Sequence, residues 1–375
     1  MLVSPDEKHL ITAKSQDFGI WQFPSGVEIL RKTHNGLNFK FSPNERYFAT
    51  DYQKEKSIHV WETISGTEVG TITYAPQTDN GYSVFMPSAV SPNGKYVLTE
   101  SDKRVGQPRT TKGDLLLWDV TSGSVLHRLP HPDFGYVAEF SPDGSKLATT
   151  GENVLIWDIP SGELARTIIP NAKVEFAAFS PSGKYFVTAG KESKPQVWEV
   201  STGSEQRQLE SDDARSPLIF SPDERFLAYT MKDGSGRILQ VLNKHELRFL
   251  HPGGVEAVAF SPDSHYLVTR ELSPSSEDEQ PVTPHTDIWS VDTGLEVTHL
   301  DAQYGHFQVF SPDGRFLVTE SYVDPERLGL VWILPWRRDD LVNEACSRLT
   351  RNLTIDEWNS YLPDEPYRKT CPHLP

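Results

Sequence analysis

A chain of 375 residues with a formal charge of −16 is ill suited to phosphate backbones, because that affinity comes largely from Lys and Arg displacing condensed counterions. Its hydrophobic residues (37%) and aromatic residues (11%), nine of them Trp, exceed what a disordered chain carries. No run approaches the roughly 18 apolar residues of a membrane span, and Met1-Leu2-Val3-Ser4-Pro5 lacks the basic start and apolar stretch of a secretion signal, so a soluble cytoplasmic protein with neither nucleic-acid nor membrane partners is expected.

From the N-terminus onward the chain repeats itself. Ser-Pro followed by Asp, Asn or Ser recurs at Ser4, Ser42, Ser91, Ser141, Ser180, Ser221, Ser261 and Ser311. The spacings of 38, 49, 50, 39, 41, 40 and 50 residues fit a unit of roughly 40 residues, with insertions of roughly 10 in three places. The first repeat opens inside its first strand, since only Met1 to Val3 precede Ser4, whereas Val255 to Phe260 fill that place in repeat seven. Repeat four shows the unit best: strands are predicted over 137–140, 146–149, 154–157 and 163–168, joined by turn chemistry at Ser141 to Gly144 and Pro160-Ser161-Gly162. Repeat eight shows three strands ending in Leu330-Val331-Trp332, then Pro335 and a helical pattern where an outer strand belongs. With no spare strand visible at either end to complete that unit, two readings stay open: residues are missing upstream and the chain is a fragment or a module of a longer one, or the blade is complete as written.

Four antiparallel strands repeated radially bury both faces of each sheet and leave short, protected edges. The expected fold is therefore all-β, an eight-bladed β-propeller with a seven-bladed ring as alternative, spanning 1–333, with a helical tail at 334–375. Trp21, Trp61, Trp118, Trp157, Trp198, Trp289 and Trp332 are assigned to one place in the third strand, as rings wedged between sheets. Trp118-Asp119 and Trp157-Asp158, softened at Trp61-Glu62 and Trp198-Glu199, make the units resemble the WD-repeat family, and the resemblance covers nearly the whole chain up to about Trp332. Repeat six departs furthest, with Gln240 assigned to the Trp position, and Gly-His before the first strand survives outright only at Gly305-His306. With the family's Asp in the second turn mostly missing as well, the blade-by-blade rigidity that a polar tetrad gives well-formed WD blades does not follow here.

In the tail, Leu341, Val342, Ala345 and Leu349 sit at helical spacing after Asp339-Asp340, and Thr354 with Glu357 has the pattern of a capping box before a helix that carries Trp358 and stops at Pro363. The segment resembles the ends of bacterial WD-repeat signalling proteins, which implies a sensing module joined to other domains. Cys346 and Cys371 are either reduced structural thiols, favoured by cytosolic redox conditions, or a tail-closing disulfide. Asn352-Leu353-Thr354 is a glycosylation sequon, relevant only to a secreted chain.

No nucleophile elbow, His-Glu-x-x-His, phosphate-binding loop or zinc-spaced Cys/His cluster is legible, so no catalytic residue, metal or cofactor is assigned. His131 and His251 are read as structural. Extra length falls between Tyr74 and Gly81, Ser101 and Gly113, Arg270 and Thr286, and Ser321 and Gly329, connections that emerge on one face of the disc. Lys103, Arg104, Arg109 and Lys112 make a basic pole there, and Glu277, Asp278 and Glu279, with Glu271 beside them, an acidic pole half a ring away. With Tyr82, Phe134, His306, Tyr322 and Arg327 they form the candidate partner-binding set. The leading expectation is a non-enzymatic scaffold that binds a protein partner or another domain of a longer chain. The alternative is an enzyme or enzyme-associated propeller with a site at the central channel, near Glu139, Glu175 and Glu256. Assembly through the tail is a third reading.

Overall fold

The computed structural model describes residues 2–3, 9–14, 17–22, 27–33, 39–52, 55–74, 82–103, 115–131, 137–190, 194–209, 214–231, 235–243, 246–249, 255–271, 286–300, 307–311, 313–321, 330–337, 340–342, 346–347, 349–361 and 366–374. Eight antiparallel sheets follow one another along the chain, each formed by consecutive strands. They are referred to as blades one to eight, spanning 2–33, 39–73, 82–129, 138–168, 176–208, 214–249, 255–300 and 307–335. Seven have four strands, here named inner, second, third and outer in chain order; blade eight has three among the described residues. In blade four the strands are Ala138–Phe140, Lys146–Thr150, Val154–Asp158 and Leu164–Ile168, within a residue or so of the sequence expectation.

The recurring Ser-Pro-Asp is a hydrogen-bonded turn. Ser141 Oγ donates to Asp143 Oδ1 (2.6 Å) and accepts from the Lys146 amide (2.9 Å), while the Gly144 amide donates to the Ser141 carbonyl (2.8 Å). The same serine bridge closes the turns at Ser42, Ser91, Ser221, Ser261 and Ser311. Proline, lacking an N–H, fits the second position because its preset φ suits the turn and no donor is lost. The fourth position takes a left-handed backbone, supplied by Gly144 at φ 72° but by Glu224 and Ser264 at 59° and 64°. Those two side chains bind neighbouring turns: Glu224 accepts from the Ser182 amide, and Ser264 Oγ from the Asp223 amide at 3.0 Å.

Between blades, the third-strand Trp reaches back into the preceding sheet. Trp118 shares a buried cluster with Ala49 and Val60, Trp157 with Leu98 and Leu117, Trp198 with Ala148 and Ile156, and Trp289 with Ala228 and Ile238. Each indole N–H is satisfied by a second-strand threonine: Trp61 by Thr50, Trp118 by Thr99, Trp157 by Thr149, Trp198 by Thr188 and Trp289 by Thr269, at 2.8–3.0 Å. Among the described residues, the Trp–Thr part of a rigidifying polar network is therefore present in five blades.

Register corrects two Trp assignments. Leu267 pairs with Trp289, and the equivalent Leu227 and Leu317 pair with Leu239 and Leu334. The Trp place in blade six thus belongs to Leu239, not Gln240, and in blade eight to Leu334, while Trp332 pairs with Thr319. Two residues past Leu334, Trp336 takes over the wedge: it is buried with Val268 and Ile288 of blade seven and Phe310 and Leu317 of blade eight. Its indole donates to the Gly314 carbonyl (3.0 Å) instead of to Thr319, whose buried hydroxyl has no hydrogen-bond partner among the described residues.

Closure between blades eight and one uses the same device. Trp21 of blade one packs with Val318, Val309 and Ile333 of blade eight. Among the described residues, the seam between these two blades is made by this side-chain packing.

Past Trp336 the tail starts on the face of the Ser-Pro turns, where Arg337 pairs with Asp263 (2.7 Å) and stacks over Trp336 and Tyr266. The capping box forms: Thr354 N–H donates to Glu357 Oε2 (2.8 Å) and the Glu357 N–H to Thr354 Oγ1 (3.3 Å), opening the helix Ile355–Tyr361 with Trp358 buried. Leu341 and Leu349 are exposed, so the apolar face anticipated there is only partly used. Cys346 and Cys371 are joined by a disulfide, not held as thiols. Asn352 explains their approach: its buried amide donates to the carbonyls of Cys371 (2.8 Å) and Leu374 (2.9 Å) and accepts from the Cys371 N–H (2.8 Å). Those bonds make the amide a clamp and leave it unsuited to carry a glycan.

Candidate functional site

Antiparallel order assigns the connections to two ends of each blade. Inner-to-second turns lie on one end, where they touch around the ring: a Cβ at Gly144 would meet Pro92 of the preceding turn at 3.2 Å, and one at Gly183 would meet Pro142 at 3.5 Å. Second-to-third connections and links between blades leave from the other end. The four connections with extra length in the sequence join strand ends there, Thr73 to Tyr82, Lys103 to Leu115, Glu271 to Thr286 and Ser321 to Leu330, and so does the link from Leu129 to Ala138.

Blade three is drawn out toward that end. Its inner strand, Tyr82–Val90, has nine residues and its second, Tyr96–Lys103, has eight, with register shifts on both sides of Thr99. Register sets Tyr82 directly opposite Lys103, bringing two of the sequence-selected residues together at the tip of the hairpin. Arg104, Arg109, Lys112, Phe134, Glu277, Asp278, Glu279, His306, Tyr322 and Arg327 lie outside the described residues, as does His251. His131 is buried with Nε2 3.2 Å from the Thr149 carbonyl, in keeping with a structural role.

The inner strands enclose a cavity of about 280 Å³ between blades two and five, lined by Lys40, Ala89, Val90, Glu139, Phe140 and Ala177 among others. Glu139 is the expected channel carboxylate that lines it. Burial raises its carboxyl to about 7, against the opposing pull of the Phe179 amide at 3.2 Å and of the Lys40 ammonium. Glu175 precedes the blade-five inner strand, with its N–H on the Ala189 carbonyl, and Glu256 is paired in register with Arg270. Lys40 went unselected in the sequence, although a signal exists: in the eight positions two residues before Ser-Pro, Lys40 and Glu139 are the charged ones, among Leu2, Ala89, Ala178, Ile219, Ala259 and Val309.

No helix among the described residues is long and apolar enough to cross a membrane. The family model for the WD domain, G-beta repeat, matches residues 236–278. That stretch runs from the third strand of blade six to just past the second strand of blade seven, so the sequence repeat is offset from the sheet by two strands. Among solved structures the chain resembles the computationally designed Ika8 protein, with a TM-score of 0.60 and 15% identity over 87% of this chain and 93% of that one, a likeness of fold. WD repeats generally mediate protein–protein interaction, and a WD repeat is detected here within an all-β propeller.

Proposed function

We propose that this chain is a non-enzymatic protein-binding or sensing scaffold that engages its partner through the end of the propeller carrying the four long connections. The observation that carries the reading is their one-sidedness: they join strand ends at one end of the disc, while the opposite end has short turns packed against one another. The contact set is Tyr82, Lys103, Arg104, Arg109, Lys112, Phe134, Glu277, Asp278, Glu279, His306, Tyr322 and Arg327. Blades three and seven face each other across an eight-membered ring, so the basic connection at 104–114 and the acidic one at 272–285 suit a dipolar protein surface or a neighbouring domain. Charge reversal at Arg104 and Arg109 is expected to slow association with a partner captured on the full chain and to flatten its salt dependence. Unchanged rates at low and physiological salt would overturn the bipolar face.

A second reading, a site at the central channel, is supported by Glu139 and Lys40 in the inner-strand cavity, where a carboxyl near 7 can exchange a proton at neutral pH. A small ligand bound there would lose affinity on Glu139→Gln, with the contact set intact.

A further inference from the structure

We propose that blade seven carries a binding site for a divalent transition-metal ion, formed by Asp287 on its third strand and by Glu296 and His299 on its outer strand. One donor atom from each of the three lies within 4.8 Å of the other two. Asp287 and His299 are direct cross-strand partners and share a face, with His299 Nδ1 2.7 Å from Asp287 Oδ1. Glu296 is three residues from His299, and in a regular strand residues at odd separation point to opposite faces. The register shift between Ile288 and Trp289 removes that conflict: an extra residue on the outer strand sets Glu296 opposite Trp289, on the side of Asp287 and His299.

The same bulge recurs in other blades, which serve as internal comparisons. The three positions are His59, Thr71 and Glu68 in blade two, and Gln196, Gln208 and Glu205 in blade five. As in blade seven, these side chains are hydrogen-bonded to one another: His59 Nδ1 lies 2.9 Å from Glu68 and its Nε2 3.0 Å from Ser57 Oγ, and Gln196 donates to Glu205 at 2.7 Å. Among the described residues, blade seven is where the corner gathers three side chains of metal-ligand type.

One imidazole nitrogen and two carboxylates suit ions such as Zn²⁺ or Mn²⁺, and three protein ligands leave positions for water. Asp287 is 1% exposed, so a dication held by it and Glu296 would cancel two negative charges at the edge of the core, while the exposed Glu296 and His299 give the ion a route from solvent. Binding replaces the His299 to Asp287 contact by two bonds to the metal and needs the imidazole neutral.

Zn²⁺ titrated calorimetrically into the chelator-stripped full chain at pH 7.5 tests the site. One saturable ion per chain is expected, weakened roughly tenfold or more by His299→Gln and by Glu296→Gln, both at exposed positions that leave the fold intact. His265→Gln, which alters the exposed His265–Asp292 pair of the same blade at 3.2 Å, should leave affinity unchanged. Absence of saturable binding, or binding unaffected by His299→Gln and Glu296→Gln, would overturn the proposal.

Discussion

Thr149 and Thr319 hold equivalent places in blades four and eight, yet one hydroxyl accepts an indole N–H and the other, also buried, has no partner among the described residues. Thr149→Val should strand the Trp157 N–H and lower stability by about 1–3 kcal/mol, whereas Thr319→Val should be neutral or stabilising. Urea midpoints at unchanged m-value would separate them. Glu139 makes a second prediction. Its folded carboxyl titrates at about 7, above the ordinary 4.5, so the folded state binds more protons and stability falls as pH rises from about 4.5 to 7. Glu139→Gln should flatten that slope and stabilise the protein at pH 8 by roughly 1–3 kcal/mol; an unchanged difference between pH 5 and pH 8 would contradict it. At this scale the sequence is legible where a residue recurs beside turn chemistry, as with the serine bridge. It misleads where a loop of uncertain length precedes the strand, which is why Trp332 stands in the sequence reading where register puts Leu334. The blade-seven corner is not readable, because its three residues come from two strands and share a face only through a bulge that leaves no mark in composition.

Strands and turns follow the sequence closely because each depends on local chemistry: short segments rich in β-formers for the strands, Ser-Pro-Asp for the turns. The tail is half legible. Its capping box is local and forms as expected, but the disulfide depends on Asn352 clamping the chain 19 residues on, which cysteine count and an assumed compartment could not supply. Closing a loop of 25 residues removes chain entropy worth about 3.5 kcal/mol from the open tail. Replacing both Cys346 and Cys371 by Ser is therefore expected to raise hydrogen exchange over Ile355–Tyr361 sharply while strands of blades four and five keep their protection. Unchanged exchange in that helix would mean that Asn352 and Trp358 suffice.

The whole molecule is a ring in which each sheet is held mainly by its neighbours, so its weakest seam should be where the ends of the chain meet. Blade eight has three strands among those described, and Trp21 makes its seam with blade one. Trp21→Ala is expected to cost about 3 kcal/mol, the lower part of the range for such truncations because the indole is only half-buried. Protection should be lost in blades one and eight first; loss spread evenly over the ring would contradict packing closure. Blade count and the decorated end are legible in the sequence but the seam between blades one and eight is not, since its packing residues, Trp21 and Val318, are distant in the chain.

The proposal that the decorated end is the binding surface is tested most directly by photo-crosslinking from two faces of one ring. A photoreactive residue in place of Arg104 or Glu277 samples the long connections, and one in place of Ser161 samples the turn face. Crosslinks to a protein partner from positions 104 and 277, with none from 161, are the predicted result; crosslinks from 161 alone would contradict it.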